Sequence, residues 1–180
     1  MNIPNFITFL RIILVPVIVI FLIQGFYAKA LIIFVIAGLT DALDGALARL
    51  LNKQTELGSF LDPLADKILL STSFISLAIF GLIPGWLTVI VISRDFIILL
   101  GILILSMMSV TYEIKPVFVS KVTTALQIAT VFFALLLKTV TYDIISYDWI
   151  ITLSWLTALF TIISGLIYII KGIKLLNRNA

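Results

Sequence analysis

The chain contains no cysteine and no histidine. The first absence excludes disulfides and thiolate metal ligands, and the second removes imidazole as a ligand and as a base working near neutral pH. Any metal bound here is held by oxygen. Charge is also scarce: 12% of the 180 residues are charged against 62% hydrophobic, and the mean hydropathy is +1.28. Those values exclude an ordinary soluble globular domain and predict an integral membrane protein. There is no Pro/Gly/Ser-rich linker and no low-complexity tract, so residues 1–180 read as a single domain. The net charge of +3 is small and sits near segment ends, which points to orientation in a membrane and argues against nucleic acid as a partner.

What is present is long apolar runs. Segments of spanning length fall at about 5–26, 28–50, 60–81, 86–108, 118–140 and 149–171. They predict an all-α, polytopic bundle of six transmembrane helices. The first run is longer than the core of a signal peptide and no small-residue cleavage site follows it, so it is expected to be retained. Breaks are predicted at Gln24-Gly25, at 52–56, at Pro84-Gly85, at 111–116 and at 141–148. Residues 2–11 mix Asn2, Asn5, Thr8 and Arg11 with apolar residues, which suits a short N-terminal amphipathic segment leading into the first span. Lysine and arginine alternate in density along the chain. Arg11, Arg49, Lys53, Lys115, Lys121, Lys171, Lys174 and Arg178 fall on one side, and only Lys29 and Lys138 on the other. Both termini are therefore expected in the cytoplasm, the membrane being a bacterial inner or plasma membrane. The five tyrosines and three tryptophans are read as interfacial anchors or packing groups.

Four carboxylates interrupt this apolar pattern at helical spacing. Asp41 and Asp44 are three residues apart, Asp62 and Asp66 four apart, so each pair shares a face of its helix. Each carboxylate at membrane depth costs roughly 2.5–3.5 kcal/mol, so four unpaired ones cost on the order of 10 kcal/mol. Something cationic must neutralise them. An all-carboxylate set suits a hard ion with octahedral preference, Mg²⁺ or Mn²⁺, whose remaining positions go to water or a substrate phosphate. Gly45 within a helical pattern costs about 1 kcal/mol relative to alanine, which close approach of a ligand or a helix would offset. Ala48 continues the smooth strip, and Arg49 offers a planar fork for phosphate or carboxylate. The plainer reading of such aspartates is ion pairing across the bundle, with Lys67, Arg94 and Lys121 as available cations. Four acids at this spacing, with the glycines and Arg49, favour the cage.

The pattern Asp41-x2-Asp44-Gly45-x2-Ala48-Arg49-x8-Gly58-x3-Asp62-x3-Asp66 resembles in full the signature of the CDP-alcohol phosphotransferases. Ile3-Pro4-Asn5 with Thr8 and Arg11, Leu61 to Lys67, Ser93-Arg94-Asp95, and Ser120 to Thr124 with Gln127 resemble its phosphatidylglycerophosphate and cardiolipin synthase branch. The likeness covers about residues 1–130, the last two helices carrying little beyond apolar pattern. It implies six transmembrane helices, a homodimer, and transfer of a phosphatidyl group from CDP-diacylglycerol to an alcohol with release of CMP. It further implies that Asp41, Asp44, Asp62 and Asp66 ligate metal and that Asp66 takes the acceptor's proton. Asp41, Asp44, Gly45, Ala48, Arg49, Gly58 and Asp62 would surround the CDP moiety, with Thr55 and Ser59 beside them.

For the acceptor, glycerol 3-phosphate enzymes of this branch usually carry Ser-Arg-Glu and a further arginine within two turns. Here Ser93-Arg94-Asp95 precedes an apolar run with no basic residue until Lys115. Leu39-Thr40-Asp41, Ser93-Arg94-Asp95 and Lys115-Pro116 to Val122 resemble the cardiolipin synthases, which use phosphatidylglycerol. Arg94 and Lys121 would then meet the acceptor phosphodiester, or else neutralise Asp95 and Asp66, and the residues leave both readings open. Arg94 and Asp95, being consecutive on a helix, are not expected to satisfy each other directly. Rival classes are a cation channel or transporter lined by the aspartates, and a lipid-binding scaffold without turnover. An inverted-repeat transporter has little support, because no second copy of the aspartate pattern occurs in 90–180.

Overall fold

A computed structural model describes residues 3–51, 56–107, 118–140 and 147–179, with side chains described over 9–40, 64–105, 107, 118–140 and 148–175. Every element among them is helical: α1 (Ile3–Ile23), α2 (Tyr27–Leu51), α3 (Glu56–Ile79), α4 (Gly85–Met107), α5 (Phe118–Thr139) and α6 (Tyr147–Asn179). The helices match the predicted apolar runs to within a few residues at most ends, and α6 continues about two turns further than expected.

The ends of α1 and α3 have a common chemical cause. Gly25 and Gly81 adopt φ of 75° and 68°, the left-handed region in which a Cβ is disfavoured. After α1, Phe26 N–H donates to the Phe21 carbonyl (2.8 Å) and Gly25 N–H to that of Leu22 (3.1 Å). After α3, Leu82 N–H donates to Leu77 (2.8 Å) and Gly81 N–H to Ala78 (3.1 Å). Each is the paired-bond helix stop that satisfies the orphan carbonyls of a last turn.

The expected N-terminal amphipathic segment and the first span form one helix: α1 runs unbroken from Ile3 to Ile23, with residues 3–11 as its first turns. One polar residue of that segment, Arg11, does not face outward. It stands on the face that continues through Val15, Ile18 and Leu22, all buried, and is itself 1% exposed. A polar residue that looked suited to a membrane surface is part of an interior seam.

Two compact units divide the chain, one of residues 1–82 and 131–145, the other of 83–130 and 146–180. In the first, α1 packs against both α2 and α3. Its core combines the α1 face with Ala30, Phe34 and Ala37 of α2 and Ala65, Leu69, Phe74 and Leu77 of α3. In the second, α4 packs against α6. The α6 interior follows Ile150, Ser154, Thr157, Thr161 and Ser164, a seven-residue repeat of mainly small hydroxyl side chains. Hydroxyls join neighbouring helices: Thr130 and Thr157 lie 2.8 Å apart, and Thr123 donates to the Phe160 carbonyl at 3.0 Å.

The outward residues of this unit are large and apolar, among them Phe96, Leu99, Leu103, Ile162, Leu166 and Ile170. Small polar residues inside and bulky apolar residues outside are what lipid selects, because hydrocarbon gives no hydrophobic drive to helix association. Three helical stretches among the described residues are long and apolar enough to cross a membrane: Gly85–Leu105, Phe118–Thr139 and Asp148–Leu175. Shorter apolar helical stretches among the described residues are Phe9–Ile23 and Tyr27–Thr40.

Candidate active site

The sequence signature divides between two helices. Asp41, Asp44, Gly45, Ala48 and Arg49 occupy the last turns of α2, and Gly58, Ser59, Asp62 and Asp66 the first turns of α3. Positions 41, 44 and 48 share one face of α2, and 58, 62 and 66 one face of α3, as the helical repeat requires. Only residues 52–55 separate the two helices, and both pack against α1. Thr55 lies outside the described residues, as do the side chains of Asp41, Asp44, Gly45, Ala48, Arg49, Gly58, Ser59 and Asp62.

The Asp66 side chain is among those described. Its Oδ1 accepts from Arg11 Nη1 at 2.5 Å, an ion pair that links α3 to α1 across 55 residues of sequence. The partners differ in environment: the Arg11 side chain is 1% exposed and that of Asp66 42%. The guanidinium is therefore held inside the protein, while the carboxylate is partly exposed. Charge-assisted bonds of this kind are roughly twice as strong as neutral ones, so Arg11 also selects the orientation of the acid.

At the level of sequence, Arg11 falls on the cytoplasmic side and in the N-terminal segment, and only Lys67, Arg94 and Lys121 are considered as counter-ions to the aspartates. The missing signal was its register. Arg11 falls four residues before Val15 and seven before Ile18, and a charge on so apolar a face needs a carboxylate within reach.

Arg94 has different surroundings. Its Nη1 donates to Asp95 Oδ1 at 2.7 Å, and Nη2 donates to Ser120 (2.6 Å) and Ser164 (2.8 Å). The Tyr168 ring lies 5.7 Å from the guanidinium carbon. Both members of the pair are buried, at 6% and 8% exposure. The expectation that neighbouring Arg94 and Asp95 would not satisfy each other is thus corrected. Their Cβ atoms do diverge, but the long arginine stem folds back, and burial of both charges makes an unpaired state costly. Gly165 provides the room, since a Cβ there would lie 3.4 Å from Arg94 Cγ. Lys121, one residue beyond Ser120, is exposed and has no ion pair among the described residues.

Chemically, the carboxylates fit a hard divalent ion. The donor set is all oxygen in a chain without thiol or imidazole, and the Asp66 carboxylate is 42% exposed. A divalent ion held by such carboxylates would supply positive charge to a pyrophosphate, which is the chemistry of phosphoryl and phosphatidyl transfer.

Comparison with known proteins agrees. A profile described as CDP-alcohol phosphatidyltransferase matches residues 1–163. The chain belongs to the CDP-alcohol phosphatidyltransferase family. The CDP-diacylglycerol–glycerol-3-phosphate 3-phosphatidyltransferase of Bacillus subtilis (strain 168) is 34% identical, over 99% of this chain and 98% of its own length. Human cardiolipin synthase (CMP-forming) is 40% identical over 72% of this chain, which spans about half the human protein (48%). A Pseudomonas fluorescens protein named as the Bacillus one is 42% identical over 43% of this chain and 41% of its own length. This member of the family is thus a membrane transferase of phospholipid biosynthesis with CDP-alcohol phosphatidyltransferase activity.

Proposed function

We propose that this chain, acting as one domain over 1–180, transfers a phosphatidyl group from CDP-diacylglycerol to phosphatidylglycerol and releases CMP. Asp41, Asp44, Asp62 and Asp66 hold Mg²⁺ or Mn²⁺. Gly45, Ala48, Arg49, Thr55, Gly58 and Ser59 line the CMP moiety. The bound ions supply positive charge against the pyrophosphate. Asp66 receives the proton of the acceptor hydroxyl, whose oxygen bonds to the phosphatidyl phosphorus as the bond to CMP breaks. CMP departs with the electron pair. Arg11 holds the Asp66 carboxylate in place for that transfer, and holding acceptor and donor together removes much of the entropic barrier. All six helices cross the bilayer, the signature faces the cytoplasm of a bacterial cell together with both termini, and the enzyme works as a homodimer.

One observation carries the choice of acceptor. The single arginine of α4 is buried with its own counter-ion, and no second basic residue follows it on that helix. A phosphate monoester, with two negative charges, finds no cationic pair on that helix. A phosphodiester needs only one cation, and exposed Lys121 supplies it. Glycerol 3-phosphate is the second reading, favoured by the nearly full-length likeness to the Bacillus enzyme.

Purified protein supplied with CDP-diacylglycerol, Mn²⁺ or Mg²⁺, and one acceptor at a time tests both. CMP release with phosphatidylglycerol is the expected result. Release with glycerol 3-phosphate alone replaces the acceptor, and release with neither overturns the proposal.

A further inference from the structure

Beside the Arg94 cluster, α4 and α6 separate into a groove of about 450 Å³. Ile97, Gly101 and Leu105 line it from α4, and Tyr168, Lys171 and Gly172 from α6. Its volume lies within the range of pockets that enclose small organic ligands. Among the described residues, all of its lining belongs to the second unit.

The two glycines make this groove more than a gap between helices. Glycine is the least favourable residue after proline in a helix interior, so it needs a compensation. Gly165 has one, because Arg94 packs against it. Gly101 and Gly172 have none among the described residues: a Cβ on either would meet no described atom within 4 Å. They leave space rather than allow contact. The groove also occupies the last turns of two stretches that are long and apolar enough to cross a membrane. Near the end of the α6 stretch stands exposed Lys171, with exposed Lys174 one turn on. A lysine so placed keeps its stem along apolar surface and its ammonium at headgroup level.

We infer that the groove is a binding site for an anionic phospholipid of the bilayer, one acyl chain lying over Gly101 and Gly172 and the headgroup phosphate meeting Lys171. The other occupant the geometry admits is a second copy of the chain. A two-fold contact through this face would set the Lys171 ammonium of each copy on the same interface, where like charges disfavour close approach. A phosphate removes that repulsion. The site is independent of the identity of the acceptor alcohol.

Native mass spectrometry of the full-length protein, equilibrated with dioleoyl-phosphatidylserine or dioleoyl-phosphatidylcholine in detergent, tests the inference. The expected result is retention of one phosphatidylserine per chain in preference to phosphatidylcholine. Lys171→Gln should cut that preference about fivefold, the effect of one basic residue at an anionic headgroup. Gly172→Leu, filling the groove, should abolish retention of either lipid at this site, with circular dichroism confirming the helices. Should Gly172→Leu fail to fold, Lys171→Gln alone decides. Equal retention of the two lipids by the native chain overturns the inference, as does retention unchanged in Lys171→Gln. If Gly101→Leu splits a dimer without altering lipid retention, the occupant is a second copy and the inference fails.

Discussion

Each unit of this protein is built around an arginine–aspartate pair, and the two pairs are opposites. Arg94 and Asp95 are adjacent in sequence, both buried, and closed off by Ser120 and Ser164. Arg11 and Asp66 are 55 residues apart, and there only the arginine is buried. A closed pair ties helices together and offers nothing to a ligand. An open pair presents a pre-oriented carboxylate while its counter-ion stays fixed behind it. On the proposed reading, the contrast separates a structural ion pair from one suited to a reaction.

Substitutions can break or sharpen this contrast. The largest effect is expected for Asp66→Asn. Turnover measured as CMP release should fall by about 10²–10⁴, the usual contribution of a positioned general base, while helical circular dichroism persists. Turnover near the native level would remove Asp66 from the chemistry and leave both pairs structural.

Next comes Asp95→Ala, which strands a buried guanidinium. Destabilisation of about 3–5 kcal/mol is expected in thermal or denaturant unfolding in micelles. Arg11→Met should cost less, about 1–2 kcal/mol, because water can still reach the half-exposed Asp66 it leaves behind. The same variant should lower kcat, and Arg11→Lys should restore it only in part, since an ammonium cannot reproduce the guanidinium fork. If Arg11→Met proves as destabilising as Asp95→Ala, the first pair is as closed as the second and the distinction fails. The smallest effect is expected for Thr130→Val. It removes one hydroxyl bond between α5 and α6 and should cost about 0.6 kcal/mol, the average for such bonds within membrane bundles.

Much of this was legible in the residues. Apolar runs located six helices because their periodicity and length are local properties, and Gly25 and Pro84 marked breaks for equally local reasons. The aspartate signature was legible because spacing on one helix face needs no tertiary knowledge. The hydroxyls of α5 and α6 were not. Thr123, Thr130, Thr157 and Ser164 lie in runs that look merely apolar, and they gain meaning only when the facing helix is known. The Arg94–Asp95 pair was misjudged because backbone direction says little about where a long, flexible side chain ends.

Composition and spacing alone determined that this is a helical membrane protein with an oxygen-donor acid signature, since hydropathy and the helical repeat are written directly in the order of residues. Tertiary structure decided which cation each acid meets. Arg11 reaches Asp66 only because α1 packs against α3, and a contact between residues so far apart in sequence depends on the whole arrangement of the intervening helices.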